Sequence, residues 1–375
     1  MRIGIDIREV SLLSRSKVGW YQYTYNLVAN LLAIDAQNEY RLLSMLCRGK
    51  GFGGDERIPT ASVRRLPGKL TGVLLERLSL PIECLLGPLD VFHGPCDFLP
   101  RSLRSRRILT LHDLMALRRQ EFIDPGWIAS LRKRVCAAAK QADAIIAVSE
   151  FTKAEIVELL DIPPKRIRVI HNGIAPVYRQ VGDPGRVEQV KAKYGIARPY
   201  VLFVGNIEPK KNIEALIRAF AALRNGSTSS LSVVVAGHKD WHFPAIQVVV
   251  RECRAERDVV FTGPVDGDDL PLLYQGAVLF VFPSLFEGFG IPVIEAMARG
   301  VPVVASDRTS IPEVAGDAAM LVDPLDVAQM ADAMRRLVSD TALRNEYIRR
   351  GHQRAEAFSW EKAARETLQL YQDVR

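Results

Sequence analysis

Short apolar runs alternate with helical stretches and are broken once by a glycine- and proline-containing segment. That rhythm predicts an α/β protein of two doubly wound, parallel-sheet domains. Two further observations support it. A chain of 375 residues exceeds what one ordinary core holds. The apolar runs also end in small or polar residues, as strands do when they deliver a loop at the carboxyl end of a parallel sheet.

In chain order, IGIDI reads as the first strand, and YNLVANLLAI as a helix following a loop at Gly19. RRILTLHDL, ADAIIAVSE and IRVIHNGI read as strands running into polar tips, which makes Asp6, His112, Ser149 and Asn172 candidates to face a site. Asn172–Gly173 is a turn signal. From Ala175 to Tyr200 the strands stop, and Pro176, Gly182, Asp183, Pro184 and Gly185 give the segment a linker composition. The rhythm restarts with YVLFVGN, LSVVVAG, VVFTG, AVLFVFPS, VPVVAS and AAMLVDP. FSWEKAARETLQLYQDV closes the chain as a helix, with Ser359 its cap and Trp360 an anchor. The expected division is 1–175, 176–358 and a final helix 359–375, with a ligand cleft between the domains.

The composition, 48% hydrophobic and 25% charged, is that of a soluble globular protein. MRIGIDIREV lacks a leader pattern and no apolar run is long enough to span a membrane, so a cytoplasmic location is expected. Cys47, Cys84, Cys96, Cys136 and Cys253 are scattered without metal-ligand spacing, which predicts free thiols. The formal charge is +7, concentrated in the first half: RSLRSRR at 101–107, with Arg64, Arg65, Lys69, Arg77, Arg118 and Arg119. Such a face is either solvated or rests on an anionic membrane surface. No nucleic-acid-binding signature accompanies it, so nucleic acid is not expected as a partner.

The most informative stretch is SLFEGFGIPVIEAMARG, 284–300. An apolar strand delivers Glu287, Gly288, Phe289 and Gly290; Pro292 then suits the start of a helix and Gly300 its end. A glycine-rich loop feeding a helix amino end offers N–H groups to a phosphate. Glu287 and Glu295 flank that element and would accept hydrogen bonds from hydroxyls, the layout a sugar nucleotide requires. In VGNIEPKKN, 204–212, Lys210 and Lys211 precede IEALIRAFAAL; cations at a helix amino end are unfavourable unless an anion joins them.

The string FEGFGIPVIEAMARGVPVVAS resembles the Glu-x7-Glu signature of retaining glycosyltransferases, in particular glycosyltransferase family 4. The resemblance implies the GT-B architecture, two Rossmann-like domains facing a cleft with the last helix crossing back to the first domain. It implies that Glu287 contacts the donor sugar, that Glu295 holds the ribose, and that the Phe289–Gly290–Ile291 backbone faces sugar and diphosphate. VGNIEPKKN is similar to the family's diphosphate-holding string, which gives Lys211 the principal role and Lys210 a supporting one. Asn206 and Lys210 depart from it, since many members carry Arg at those positions, and lysine is a point charge rather than a fork. His112–Asp113 resembles a family His-Asp motif, implying that His112 lies near the anomeric carbon with Asp113 orienting it or the acceptor. Gly19 resembles the first glycine loop, and Gly263 a loop against the nucleotide base.

The same resemblance implies retention of configuration by front-face attack. No Asp-x-Asp stands at a strand end, and Asp266, Asp268 and Asp269 read as a helix cap, so no metal is expected. With lysines and N–H groups stabilising the leaving diphosphate, no cofactor beyond the nucleotide sugar is implied. The Glu-Pro-Lys-Lys-Asn and His-Asp-Leu forms look most like bacterial mannosyltransferases of polysaccharide or O-antigen assembly. GDP-mannose is then the expected donor, and a glycan or polyprenyl-diphosphate-linked molecule the acceptor; rhamnosyl, glucosyl and N-acetylhexosaminyl donors stay open. So do a nucleotide-sugar epimerase, a glycan phosphorylase and a non-catalytic binding protein. A dinucleotide dehydrogenase is disfavoured, because no Gly-x-Gly-x-x-Gly follows the first strand.

Overall fold

The computed structural model describes residues 1–11, 19–45, 62–66, 70, 74–75, 78–225 and 230–375; Cys47, Lys69, Arg77 and the side chain of Arg65 lie outside the described residues. The chain forms two compact units, Met1–Gly173 with Ser359–Arg375, and Ile174–Phe358.

In the first unit the described strands are β1 (Arg2–Asp6), β2 (Glu39–Met45), β3 (Ser62–Leu66), β4 (Val91–Gly94), β5 (Arg106–Leu111), β6 (Ala144–Ala147) and β7 (Ile167–Val169). They form one parallel sheet in the order β3-β2-β1-β4-β5-β6-β7. Ile3, Ile5, Val91, Phe92, Leu109 and Ile145 are fully buried, because helices cover both faces; central strands therefore read as continuous apolar runs. The helix Glu150–Leu160 begins where the Ser149 hydroxyl accepts the Thr152 N–H at 3.0 Å. Ser149 thus caps a helix rather than facing a site, and Asp6 is likewise taken up by a forked ion pair with Arg8 at 2.7–3.0 Å. The final helix, Trp360–Asp373, is capped by Ser359, packs on the helix Trp20–Ile34 and buries Trp360 edge-on against Tyr23.

A buried polar chain crosses this unit. Tyr371 hydroxyl meets His93 Nδ1 at 2.7 Å, His93 Nε2 meets Thr110 Oγ1 at 2.8 Å, and Thr110 Oγ1 meets Tyr23 hydroxyl at 2.8 Å. Burial, reinforced by the neighbouring His112, pushes the His93 imidazole down to about 3, so the chain is neutral. The basic face is partly neutralised: Arg106 pairs with Asp143, Arg118 with Glu155 and Glu158, and Arg119 with Glu121. The loop carrying Ser102 to Ser105 folds around the Glu83 carboxylate, which accepts from both serine hydroxyls and three backbone N–H groups. No helix among the described residues is long and apolar enough to cross a membrane.

In the second unit β8 (Tyr200–Val204), β9 (Ser232–Ala236), β10 (Val259–Gly263), β11 (Leu279–Phe282), β12 (Val303–Ser306) and β13 (Met320–Val322) form a parallel sheet in the order β10-β9-β8-β11-β12-β13. Strand order reverses between β8 and β11, which opens a crevice at their carboxyl ends. The segment read as a linker contains a helix, Pro184–Lys193: Asp183 caps it through the Gly185 N–H and it buries Val187 and Val190. Asp269, at the amino end of the helix Leu270–Gly276, makes no capping bond with its side chain; the Asp266 and Asp269 carboxylates both accept from Lys193 Nζ at 2.7 Å.

Candidate active site

The crevice between β8 and β11 brings together the two loops singled out by sequence. After β8, Gly205 and Asn206 lead into a short 3-10 turn, Pro209–Lys211, and Asn212 at φ 53° breaks the backbone before the helix Ile213–Asn225. Lys210 and Lys211 therefore end the turn rather than start the long helix. The expected clash with a helix amino end is relieved by that break, and cations at the end of a helical turn are favourable. Asn212 fixes the turn by donating to the carbonyls of Pro324 at 2.7 Å and Pro283 at 3.3 Å. Gly237, whose N–H follows β9, must be glycine for this loop to pass: a Cβ there would lie 2.0 Å from the Gly205 carbonyl oxygen.

After β11, the loop Ser284–Gly290 is tied to the lysine turn by the Leu285 N–H donating to the Lys210 carbonyl at 2.7 Å. The Ser310 hydroxyl donates to the Glu287 and Phe289 carbonyls, and Thr309 Oγ1 accepts the Glu287 N–H. Gly290, at φ 102°, caps the helix Ile291–Ala298; a Cβ there would meet Ile311 Cδ1 at 2.6 Å. Phe289 turns its ring inward onto Phe358, leaving its backbone to line the loop.

Across this junction Lys211 Nζ donates to Glu287 Oε1 at 2.5 Å and lies 5.0 Å above the Phe282 ring. Glu287 is only 8% exposed. Burial raises its carboxyl, but the charges of Lys211 and Lys210 outweigh that and hold it below the usual carboxylate range. Nearby, Asn206 donates to Glu208 at 3.1 Å, whereas its buried Oδ1 takes no partner among the described residues. An orphaned acceptor beside a charged pair is what a ligand N–H or hydroxyl satisfies.

Glu295 lies one turn into the helix and is 7% exposed. Its carboxylate accepts from the Tyr274 hydroxyl at 3.0 Å, with Tyr178 on the same group. Burial pushes it up to about 7, and the two hydroxyls offset only part of that. Gly263 ends β10 at φ 69° with open space where a side chain would stand.

His112 and Asp113 lie in the first unit, directly after β5. His112 Nε2 faces the Pro95 carbonyl at 2.8 Å, which assigns the proton to Nε2 and leaves Nδ1 as the acceptor. Tyr23 packs edge-on to the imidazole at 4.6 Å and Trp20 lies at 6.3 Å. Burial lowers the His112 pKa, with the Pro95 contact and Asp113 opposing, so the ring is a neutral polar group. Asp113 Oδ1 accepts the Met115 N–H at 3.0 Å. Gly19 starts the helix Trp20–Ile34 at φ 61° in open space.

Sequence reading passed over Asn212, Gly237, Ser310 and the tyrosines on Glu295. Asn212 had a local signal, an asparagine after a lysine turn and before an apolar helix; the others act across the fold.

Residues 23–177 match the family model Glycosyltransferase Family 4, and residues 187–354 match Glycosyl transferases group 1. The O-antigen chain mannosyltransferase B of Escherichia coli is 33% identical over 282 residues, covering 75% of this chain and 74% of that one. Among solved structures, sucrose-phosphate synthase from Thermosynechococcus elongatus superposes with a TM-score of 0.78 at 20% identity, covering 100% of this chain and 99% of that one. WaaG, a glycosyltransferase involved in lipopolysaccharide biosynthesis, gives 0.75 at 15% identity, covering 98% of this chain and 99% of that one. Two parallel-sheet domains of the GT-B type, with both family models matched in succession, make the chain a glycosyltransferase, and it belongs to glycosyltransferase family 4.

Proposed function

We propose that this glycosyltransferase moves mannose from GDP-mannose to a glycan or polyprenyl-diphosphate-linked acceptor in cell-surface polysaccharide synthesis, with retention of configuration and without a metal. The observation that carries the reading is the Lys211–Glu287 pair at the β8/β11 crevice, beside Gly290 and the amino end of a helix. The relationship to an O-antigen chain mannosyltransferase supports the choice of sugar.

In this reading Lys211, aided by Lys210 and the N–H groups of the Gly290 turn, takes the negative charge that grows on the leaving diphosphate. Glu287, kept ionised by the lysines, accepts hydroxyl protons of the donor sugar in hydrogen bonds. Its carboxylate is committed to Lys211, which suits a positioning ligand better than a nucleophile. Asn206 Oδ1 and Glu295 remain as acceptors for the nucleoside, and neutral His112 offers its Nδ1 lone pair to a sugar hydroxyl near the anomeric carbon. The basic loop at 101–107 would bring the protein to an anionic membrane carrying a lipid-linked acceptor.

Incubation with GDP-mannose and a mannan-primed lipid acceptor, read by mass and by NMR of the anomeric centre, tests this. Transfer giving an α-mannoside, undiminished by EDTA, is the expected result. Transfer only from a UDP or dTDP sugar, inversion at the anomeric carbon, or EDTA inhibition reversed by Mg²⁺ or Mn²⁺ would each overturn the corresponding part. Because Glu287 is buried against Lys211, Glu287→Gln is the appropriate variant: it keeps the volume and should abolish transfer.

A further inference from the structure

The second unit holds a cavity of about 320 Å³ near the carboxyl end of the helix Ile291–Ala298, lined by Arg179, Gln275, Arg299, His352 and Glu356 among others. Its two arginines are fixed by uncharged groups. Arg179 Nη2 donates to the carbonyls of Ala355 and Phe358, both at 2.9 Å. Arg299 Nε donates to the Pro271 carbonyl at 3.0 Å and its Nη2 to Gln275 Oε1 at 2.6 Å. Gln275 is itself locked by two hydrogen bonds with the Gly182 backbone, at 2.8 and 2.9 Å. His352 packs on the backbone of Gly300, its Nε2 within 2.8 Å of where a Cβ would be.

Neither arginine takes an ion pair among the described residues. Elsewhere in the same unit Arg198 and Arg224 share Asp258, and Arg308 pairs with Asp323. Glu356 also lines the cavity and pairs with neither among the described residues. Arg299 is half-buried, and burial lowers its pKa: its charge is desolvated without an anion to offset the cost. Among the described residues neither Nη1 group donates to a protein acceptor, and both arginines line the one cavity.

The geometry points to a second anion site: the cavity between Arg179 and Arg299 takes a small phosphate-bearing ligand, separate from the diphosphate site at Lys211. Fixed guanidinium forks suit phosphate oxygens. A volume at the low end of ligand pockets admits a phosphate with a small organic group and excludes a whole nucleotide sugar.

The test is calorimetric titration of inorganic phosphate into the full chain saturated with GDP, and into Lys211→Ala, Arg179→Gln and Arg299→Gln, each checked for folding by circular dichroism. Phosphate should bind the GDP-saturated protein and Lys211→Ala alike, and at least tenfold more weakly to either arginine variant. Arg179 is exposed, so Arg179→Gln decides the matter even if Arg299→Gln fails to fold. Sedimentation with phosphatidic acid vesicles is the parallel arm; arginine-dependent binding there but not to free phosphate assigns the same site to a lipid headgroup. Binding of neither probe that depends on the arginines, or phosphate binding lost only in Lys211→Ala, would overturn the proposal. A failure of the mannosyltransferase reading leaves this result unaffected.

Discussion

Glu287 and Glu295 are buried to nearly the same depth, 8% and 7% exposed, and share one loop–helix element, yet their surroundings drive them apart. Glu287 faces Lys211 and Lys210 and stays ionised; Glu295 faces two tyrosine hydroxyls and is pushed up to about 7. Burial is the largest influence on both, so the partner decides the sign. The amino end of the element is built around charge, as a diphosphate site needs. The helix interior holds a carboxyl that changes protonation near neutral pH.

The largest expected effect comes from breaking the charged pair on one side. Lys211→Ala leaves a buried carboxylate without its partner, a loss of about 3–5 kcal/mol in urea unfolding. Turnover should fall about 10²-fold or more through lost leaving-group stabilisation. A Lys211→Met, Glu287→Leu double variant should recover most of the stability and none of the activity. Stability unchanged in Lys211→Ala would mean the pair is not formed in solution.

Next in size is the pH response of Glu295. Its folded pKa lies above the ordinary value of 4.5, so the native state holds a proton that the unfolded chain releases. Stability should therefore fall as pH rises from about 4.5 to about 7, by up to about 3 kcal/mol, and level off above. Glu295→Gln should flatten that slope in denaturation series across the range; an unchanged slope would remove Glu295 as its source. Glu287→Gln should not flatten it, since its carboxyl is shifted the other way.

Gly290→Ala sharpens the comparison at the backbone. At φ 102°, with Ile311 Cδ1 2.6 Å from the new Cβ, it should cost about 1–3 kcal/mol and weaken nucleotide binding together with stability. The smallest effect belongs to the neutral chain of the first unit. Tyr371→Phe removes the hydroxyl from His93 Nδ1 and should cost about 1 kcal/mol in thermal unfolding, with no salt dependence.

The site was legible where its signals were local. The apolar run AVLFVFPS, the glycines of the loop and the proline of the helix start are enough to place Glu287 and Glu295 on one loop–helix element. What could not be read is the closure across the fold: Lys211 and Glu287 are 76 residues apart, and only the reversal of strand order between β8 and β11 brings them together. Hence the burial of Glu287 in an ion pair is not visible from its own loop. Tyr178 and Tyr274 reach Glu295 by the same non-local route.

In the first unit β2 and β4 escaped the reading for physical reasons. EYRLLSM mixes charge with apolar residues near the sheet edge, and VFHG is very short and buries His93 within its polar chain. Conversely, Asp-Pro-Gly at 183–185 looked like a linker but is a helix start: Asp183 caps and Pro184 needs no N–H partner. Turn composition alone does not separate those two outcomes; the buried spacing of Val187 and Val190 does.

The buried lysine–glutamate pair at the β8/β11 crevice is the proposed seat of a nucleoside diphosphate. Calorimetric titration of GDP, with UDP and ADP beside it, into the wild-type chain and Lys211→Met tests this most directly. GDP should bind most tightly to the wild type and at least tenfold more weakly to the variant. Equal GDP affinity in the two proteins, or no binding of any nucleoside diphosphate, would contradict it.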